Sequence, residues 1–230
     1  MIAAAGTHLK IFSGGAMRPL IVELVPLFER AHDTIVHVEF RLTSALKQAI
    51  EAGATFDLAI MPRPDLDELI ARSTVAPGTA CEIAHSSVGL AVRTGASKPD
   101  IGSVAALRQA LLQARSLAYS DGPSGAYVAG LLTKLGIAEE VGSKSKLTSR
   151  PVAELVARGE AEIGMQQIVA ILPVKGVELV GPLPAELQNV ITYAAGISVR
   201  ARHPAAEAFI AFTRGEASKR LMRTLGLEPA

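Results

Sequence analysis

The sequence predicts an α/β protein of two lobes, with two mixed sheets flanked by helices and joined by two crossing strands. Three observations predict it. Short apolar strands alternate with helical patterns from one end of the chain to the other. Two long apolar stretches, 82–93 and 190–199, break that alternation. No Pro- or Ser-rich linker separates the halves, as expected of a hinge made from strands. With 230 residues, 49% of them hydrophobic, the chain can fill two small cores.

Each element has a local reason. Residues 8–12 read as the first strand, and 16–31 as a helix with Leu20, Leu24, Leu27 and Phe28 at helical spacing. Residues 34–40 alternate as a strand through Val36, Val38 and Phe40. Thr43 or Ser44 is expected to cap a second helix that ends at Gly53. The run 57–61 (DLAIM) reads as a buried strand closed by Pro62, and 65–72 as a third helix. Three strand–helix units in succession imply parallel pairing with right-handed crossovers.

The stretch 82–93 is a longer apolar strand, and a second series follows it. Helices are expected at 103–113, 124–135 and 151–158, the last with Pro151 in its first turn. Strands are expected at 116–120, 146–148, 162–166 and 177–180, then along 190–199. Helices 204–213 and 216–225 close the chain. This order assigns 1–82 with 197–230 to one lobe and 83–196 to the other, with a ligand cleft between them.

Composition excludes several functions. A net charge of +1 gives no basic field for nucleic acid. No apolar run approaches the roughly 20 residues of a membrane span, so no membrane insertion is expected. Aromatic residues are 4% of the chain and Trp is absent, which disfavours a sugar or base site of stacked rings. Cys81 stands alone, so neither an internal disulfide nor a Cys-rich zinc site can form. No metal or cofactor is expected. Cys81 reads as a small apolar residue; as a nucleophile it would need His85, four residues on and on the same face of a strand. Residues 1–6 (MIAAAG) lack the basic start and long apolar core of a secretory signal. They read as periplasmic if Ala3-Ala4-Ala5 is a processed end, and as cytoplasmic if taken as written.

Ligands of open α/β sheets bind beyond the C-terminal strand ends, where helix N-termini offer amides to anions. After the first strand come Ser13, Gly14 and Gly15; after the second, Arg41, Thr43 and Ser44; after the third, Arg63. In the second lobe the strand ends give Ser120, Ser124 and Gly125, then Arg150, then Gln166 and Gln167, which cannot face the same way on one strand. Hydroxyls, glycines, amides and a few guanidinium groups suit an acid with several oxygens. Each has a plainer reading: a helix cap for the hydroxyls, a tight turn for Gly14–Gly15, a local ion pair for Arg41 and Arg63.

At these residues the chain resembles the molybdate-binding-protein branch of type II periplasmic solute-binding proteins. The best-matched stretches are KIFSGGAMRPL (10–20), TSALKQAIEAGATFDLAI (43–60), VARGEAEIGM (156–165) and the two final helices. The resemblance implies two lobes around a hydroxyl-lined cleft without metal, with Ser44 at the oxyanion position of the second helix. It also brings Ser13, Ser124, Arg150 and Gln167 near the cleft. Two departures point away from molybdate or tungstate and toward an organic acid. Ala16 stands where the family has a serine, and Gln167 where it has a tyrosine.

The resemblance implies a monomer that binds a small anion and hands it to an ABC permease. The chain is also similar to the aconitate isomerases, which move a proton along an allylic carboxylate. Such chemistry needs a base and a polar cradle. Arg41, Arg63 and Arg150 could hold a tricarboxylate, and His85, Glu162 and Asp121 are the candidate bases. His8, His32, His37 and His203 read as ordinary surface or strand residues. A cytosolic sensor read by a partner protein is a third possibility.

Overall fold

The computed structural model describes residues 7–121, 123–201 and 204–230. The readings made for residues 1–6 and for His203 fall outside the described residues. The chain forms two compact units, Met1–His85 with Ile191–Ala230, and Ser86–Val190. It passes from one to the other inside the two long apolar stretches, at 85/86 and 190/191 rather than the expected 82/83 and 196/197.

In the first unit, β1 (Thr7–Gly14) runs through a 3-10 turn into α1 (Arg18–His32). Then come β2 (Thr34–Arg41), α2 (Thr43–Glu51), β3 (Leu58–Pro62), α3 (Arg63–Ala71) and the first residues of β4 (Cys81–Arg93). The second unit takes the rest of β4, then α4 (Val104–Gln113), β5 (Leu117–Ser120), α5 (Pro123–Lys134) and α6 (Ala138–Gly142). It continues with β6 (Ser145–Thr148), α7 (Val152–Ala157), β7 (Ile163–Gln167), α8 (Ile168–Ile171) and β8 (Val177–Pro182). The chain returns to the first unit through β9 (Val190–Ile197), α9 (Ala205–Thr213), α10 (Glu216–Thr224) and β10 (Leu227–Pro229).

The sheet of the first unit has the order β2-β1-β3-β9, with β4 next and β10 against β4. Strands β2, β1 and β3 are parallel, and β9 is antiparallel to β3. Register aligns the exits of the parallel strands: Gly14 is opposite Arg41, and Ser13 is opposite both Phe40 and Ile60. Helices cover both faces. On one, Leu46 and Ile50 of α2 and Leu66 and Leu69 of α3 pack with Phe12, Phe56 and Met61. On the other, Phe28 of α1 meets the edges of Phe209 and Phe212 of α9, with ring centroids 5.0 and 5.6 Å apart. Burial on both faces explains why β3 reads as a continuous apolar run rather than an alternating one.

In the second unit, β7 lies between β4 and β5, β6 flanks β5, and β8 pairs with β4. Strands β5, β6 and β7 are parallel, and β4 runs against both β7 and β8. One face packs Val88, Leu90, Leu117 and Met165 against Leu107 and Leu111 of α4 and Val128 and Leu131 of α5. The other packs Ala118 against Val152, Leu155 and Val156 of α7.

The sequence reading missed α6, α8 and β10. They span three to five residues, too short for a hydrophobic period to register. Helix α3 begins two residues before the expected start, because Pro64 is tolerated in a first turn that needs no amide donor from it. Helix α2 is not capped by Thr43 or Ser44 as expected. Leu42 holds the N-cap and offers no acceptor, so both hydroxyls fall inside the first turn.

Candidate functional site

In the first unit the exits of β1, β2 and β3 gather the predicted residues at one edge of the sheet. Ser13 is fully buried, and its hydroxyl donates to the Gly14 carbonyl at 3.2 Å. A Cβ on Gly14 would stand 3.3 Å from Thr43 Oγ1, so the glycine makes room for that hydroxyl. Gly15 is exposed and opens the 3-10 turn. Thr43 is half-buried and Ser44 exposed. Neither hydroxyl has a hydrogen-bond partner among the described residues. The uncapped start of α2 therefore presents free amides and two free hydroxyls, a donor array suited to an anion.

The expected cations are engaged locally. Arg41 Nε lies 2.6 Å from Glu39 Oε1. Arg63 pairs with Asp67 at 2.8 Å and Glu82 at 3.5 Å, and the hydrogen bond to Asp67 holds its guanidinium above the ordinary range. The sequence reading passed over Arg18, the first residue of α1. Its guanidinium lies over the Phe40 ring, 4.2 Å from the centroid, at the strand end opposite Ser13. It meets no carboxylate within ion-pair distance among the described residues. A cation just after the Gly14–Gly15 turn was the available signal.

His85 stands at the same sheet edge. Its Nδ1 is 3.0 Å from Thr192 Oγ1, and the next residue, Tyr193, is opposite Pro62 at the end of β3. Tyr193 is 3% exposed, and burial pushes its phenol up to about 12. Cys81 forms no dyad with His85. Four residues along a strand separate them by roughly 13 Å, and its thiol donates to the Glu82 carbonyl at 3.4 Å. His8 and His37 are exposed and bond to each other at 3.0 Å.

In the second unit, the exit of β5 meets the start of α5. Ser120 Oγ and Ser124 Oγ lie 3.1 Å apart. Gly125, expected from sequence to let a ligand approach, is also required by packing. A Cβ there would fall 1.5 Å from the Ser120 carbonyl oxygen. Tyr127, one turn further on, donates to the Leu187 carbonyl, and burial raises its phenol. Arg150 is exposed and bonded to Glu160 at 2.8 Å, and that bond holds the Glu160 carboxyl below its ordinary range.

The two glutamines are both buried, on opposite faces of β7, as strand alternation requires. Gln166 is used by the fold. Its Oε1 accepts from Val152 N at 3.2 Å and its Nε2 donates to the Ala170 carbonyl at 2.8 Å. Gln167 is different. It is 5% exposed, yet neither amide atom has a partner among the described residues. Ser86, fully buried on β4, also has an unpartnered hydroxyl. Val88 is directly opposite Gln167, so Ser86, two residues from Val88, shares the Gln167 face. The signal for Ser86 was a hydroxyl in β4 two residues before the apolar run that starts at Val88. Buried polar atoms without partners are costly, and such sites call for a ligand or water.

Of the remaining candidate bases, Glu162 precedes β7, at the opposite strand end from Gln167. Its carboxylate accepts from Arg115 N at 2.6 Å and Nε at 3.2 Å. Asp121 is exposed at the exit of β5. Among the described residues, no three His, Cys, Asp or Glu side chains cluster to hold a metal, and no helix is long and apolar enough to cross a membrane.

Comparison with known proteins agrees with this architecture. An aconitate isomerase from Pseudomonas sp is 29% identical over 231 residues, covering 97% of this chain and 88% of that protein. Among solved structures, the periplasmic molybdate-binding protein of Azotobacter vinelandii gives a TM-score of 0.77 at 18% identity, over 95% of this chain and 98% of that one. The sulfate-binding protein SubI from Mycobacterium tuberculosis H37Rv gives 0.74 at 17% identity, over 97% and 87%. These likenesses show the type II periplasmic-binding-protein fold. The model of one family, the bacterial extracellular solute-binding proteins, matches residues 9–228, and the chain belongs to that family.

Proposed function

We propose that this chain binds a small organic polycarboxylate and serves as the solute-capturing component of an ABC-type transporter. The observation that carries the reading is the buried amide of Gln167, unpartnered among the described residues, on the strand against which α5 packs, the helix that carries Ser124 in its first turn. Neutral donors at helix starts suit an anion with several oxygens. The uncapped start of α2 and Arg18, which meets no carboxylate among the described residues, offer the same chemistry on the first unit. A carboxylate is favoured over a metal oxyanion by Ala16 and Gln167, where the molybdate-binding pattern has hydroxyls.

A thermal-shift screen of the full chain tests this with citrate, tricarballylate, trans-aconitate, sulfate, molybdate and tungstate. At a hundredfold excess over Kd, a true ligand adds about 2.7 kcal/mol, a rise of several degrees in the midpoint. A tricarboxylate is expected to give that rise. Ser124→Ala is expected to weaken that binding about tenfold, the cost of one hydrogen bond to a charged group. A shift with molybdate and none with any carboxylate would overturn the reading.

A second reading is an isomerase acting on an unsaturated tricarboxylate. It is favoured by the aconitate isomerase likeness over 97% of the chain and by the setting of His85. With Nδ1 held by Thr192, Nε2 of His85 is free to take a proton from the ligand methylene and return it at the far carbon of the allylic unit. The product is an isomer, so no other reactant is needed. On this reading, trans-aconitate added to the protein changes ultraviolet absorbance and takes up solvent deuterium. His85→Gln abolishes both while retaining binding. Unchanged absorbance with the wild-type protein would leave the binder alone.

A further inference from the structure

We infer that Gln167 selects a ligand that brings its own O–H donor to the second unit, an inference that rests on the polycarboxylate reading. Three facts lead there. Gln167 is buried at the C-terminal end of β7, and its amide nitrogen and its amide oxygen both lack partners among the described residues. Its neighbour on the same face, Ser86, is fully buried with an unpartnered hydroxyl. The contrast with Gln166, whose amide is satisfied on both sides within the same strand, rules out a general shortage of partners on β7.

An amide is a donor and an acceptor together. A fully deprotonated oxyanion such as sulfate carries acceptors alone. It can satisfy the N–H of Gln167 and the hydroxyl of Ser86, but it presents only lone pairs to Oε1. Burying that contact leaves an acceptor unpaired, and sites built to bond an O–H reject analogues without one. A hydroxyl, or a carboxyl that keeps its proton, donates to Oε1 while its own oxygen accepts from Nε2. The protonated carboxyl closes a two-bond ring with the amide. The required chemistry is therefore an O–H beside the charged carboxylates.

Isothermal titration calorimetry of the full chain at pH 7.5 tests this with citrate and tricarballylate, which share three carboxylates and differ by one hydroxyl. Running each titration in HEPES and in Tris, whose ionisation enthalpies differ, counts protons taken up. If the hydroxyl is the donor, citrate binds at least tenfold tighter. If a carboxyl is the donor, the two acids bind alike and each takes up about one proton. In either case Gln167→Leu, close in volume, brings the ratio to about one or removes the proton uptake. Gln167→Met repeats the measurement should the leucine variant fold poorly. The ligand-free midpoint of a folded variant is expected to equal or exceed the wild-type value, because an unpartnered amide has been removed from the interior. Tight binding of both acids with neither preference nor proton uptake overturns this inference and leaves the polycarboxylate reading standing. So does a preference that survives both substitutions. Failure of every polycarboxylate to bind removes the reading and the inference with it.

Discussion

Gly125→Ala is expected to cost at least about 3 kcal/mol, because the new methyl would overlap main chain rather than side chain. Its Cβ would lie 1.5 Å from the Ser120 carbonyl oxygen and 2.5 Å from the carbonyl carbon. No rotamer change relieves such a contact. Either the exit of β5 or the start of α5 must move, and the 3.1 Å approach of the Ser120 and Ser124 hydroxyls is lost with it. For a chain of this length the midpoint should fall by roughly 6–12 °C. Ligand affinity should fall as well, since the helix start no longer meets the strand end. Gly130 is the internal control. It lies in the same helix, and a methyl added there would meet nothing within 4 Å. Gly130→Ala should therefore be neutral or stabilising by about 0.5–1 kcal/mol. Equal melting of Gly125→Ala and the wild-type protein would show that β5 and α5 do not pack this closely.

Above pH 10 the protein should lose stability that Tyr193→Phe does not lose. Unfolded, the Tyr193 phenol titrates at its ordinary 10.0; folded, burial holds it protonated to about 12. As pH rises through 10 the unfolded chain releases the proton first, so the native state binds more protons and stability falls. The slope is about 1.4 kcal/mol per pH unit, roughly 2–3 kcal/mol in all by pH 12. Below pH 10 the phenol is neutral in both states and contributes no pH dependence. Urea unfolding of both proteins at pH 9 and 11.5 isolates this from lysine titration, which the two share. The gap in stability between them should shift toward the phenylalanine variant by about 2 kcal/mol at the higher pH. Parallel behaviour would mean that water reaches the ring. The effect bears on the site because Tyr193 is opposite Pro62 and follows Thr192, the residue that holds His85.

Much of the candidate site was legible because it depends on strand exits. A strand followed by small hydroxyls and glycines can be read without coordinates, as at Ser13-Gly14-Gly15 and at Ser120 to Gly125. What those residues do there could not be read. Thr43 and Ser44 carry the composition of a helix cap, yet Leu42 takes the cap position and frees both hydroxyls. Gly125 reads as a residue spared for ligand approach, and the close Ser120 backbone, which also requires a glycine there, is not written in the sequence. Arg41, Arg63 and Arg150 resemble anion clamps, yet each meets a carboxylate of its own unit. Arg18 and Ser86 were overlooked because each is a single residue whose significance lies in what does not bond to it.

The chain by itself determined the alternation of strands and helices, the two long apolar stretches in which it changes units, and the edge of each sheet where polar residues collect. Those follow from periodicity and from short-range chemistry, which are written along the sequence. Tertiary structure decided which polar groups are satisfied. Gln166 and Gln167 are chemically identical and adjacent, but the pleat sends one to the backbone of α7 and α8 and leaves the other buried without a partner among the described residues. Hydrogen-bond satisfaction is a property of neighbours brought together by folding, so no reading of residue types in order could have told the two apart.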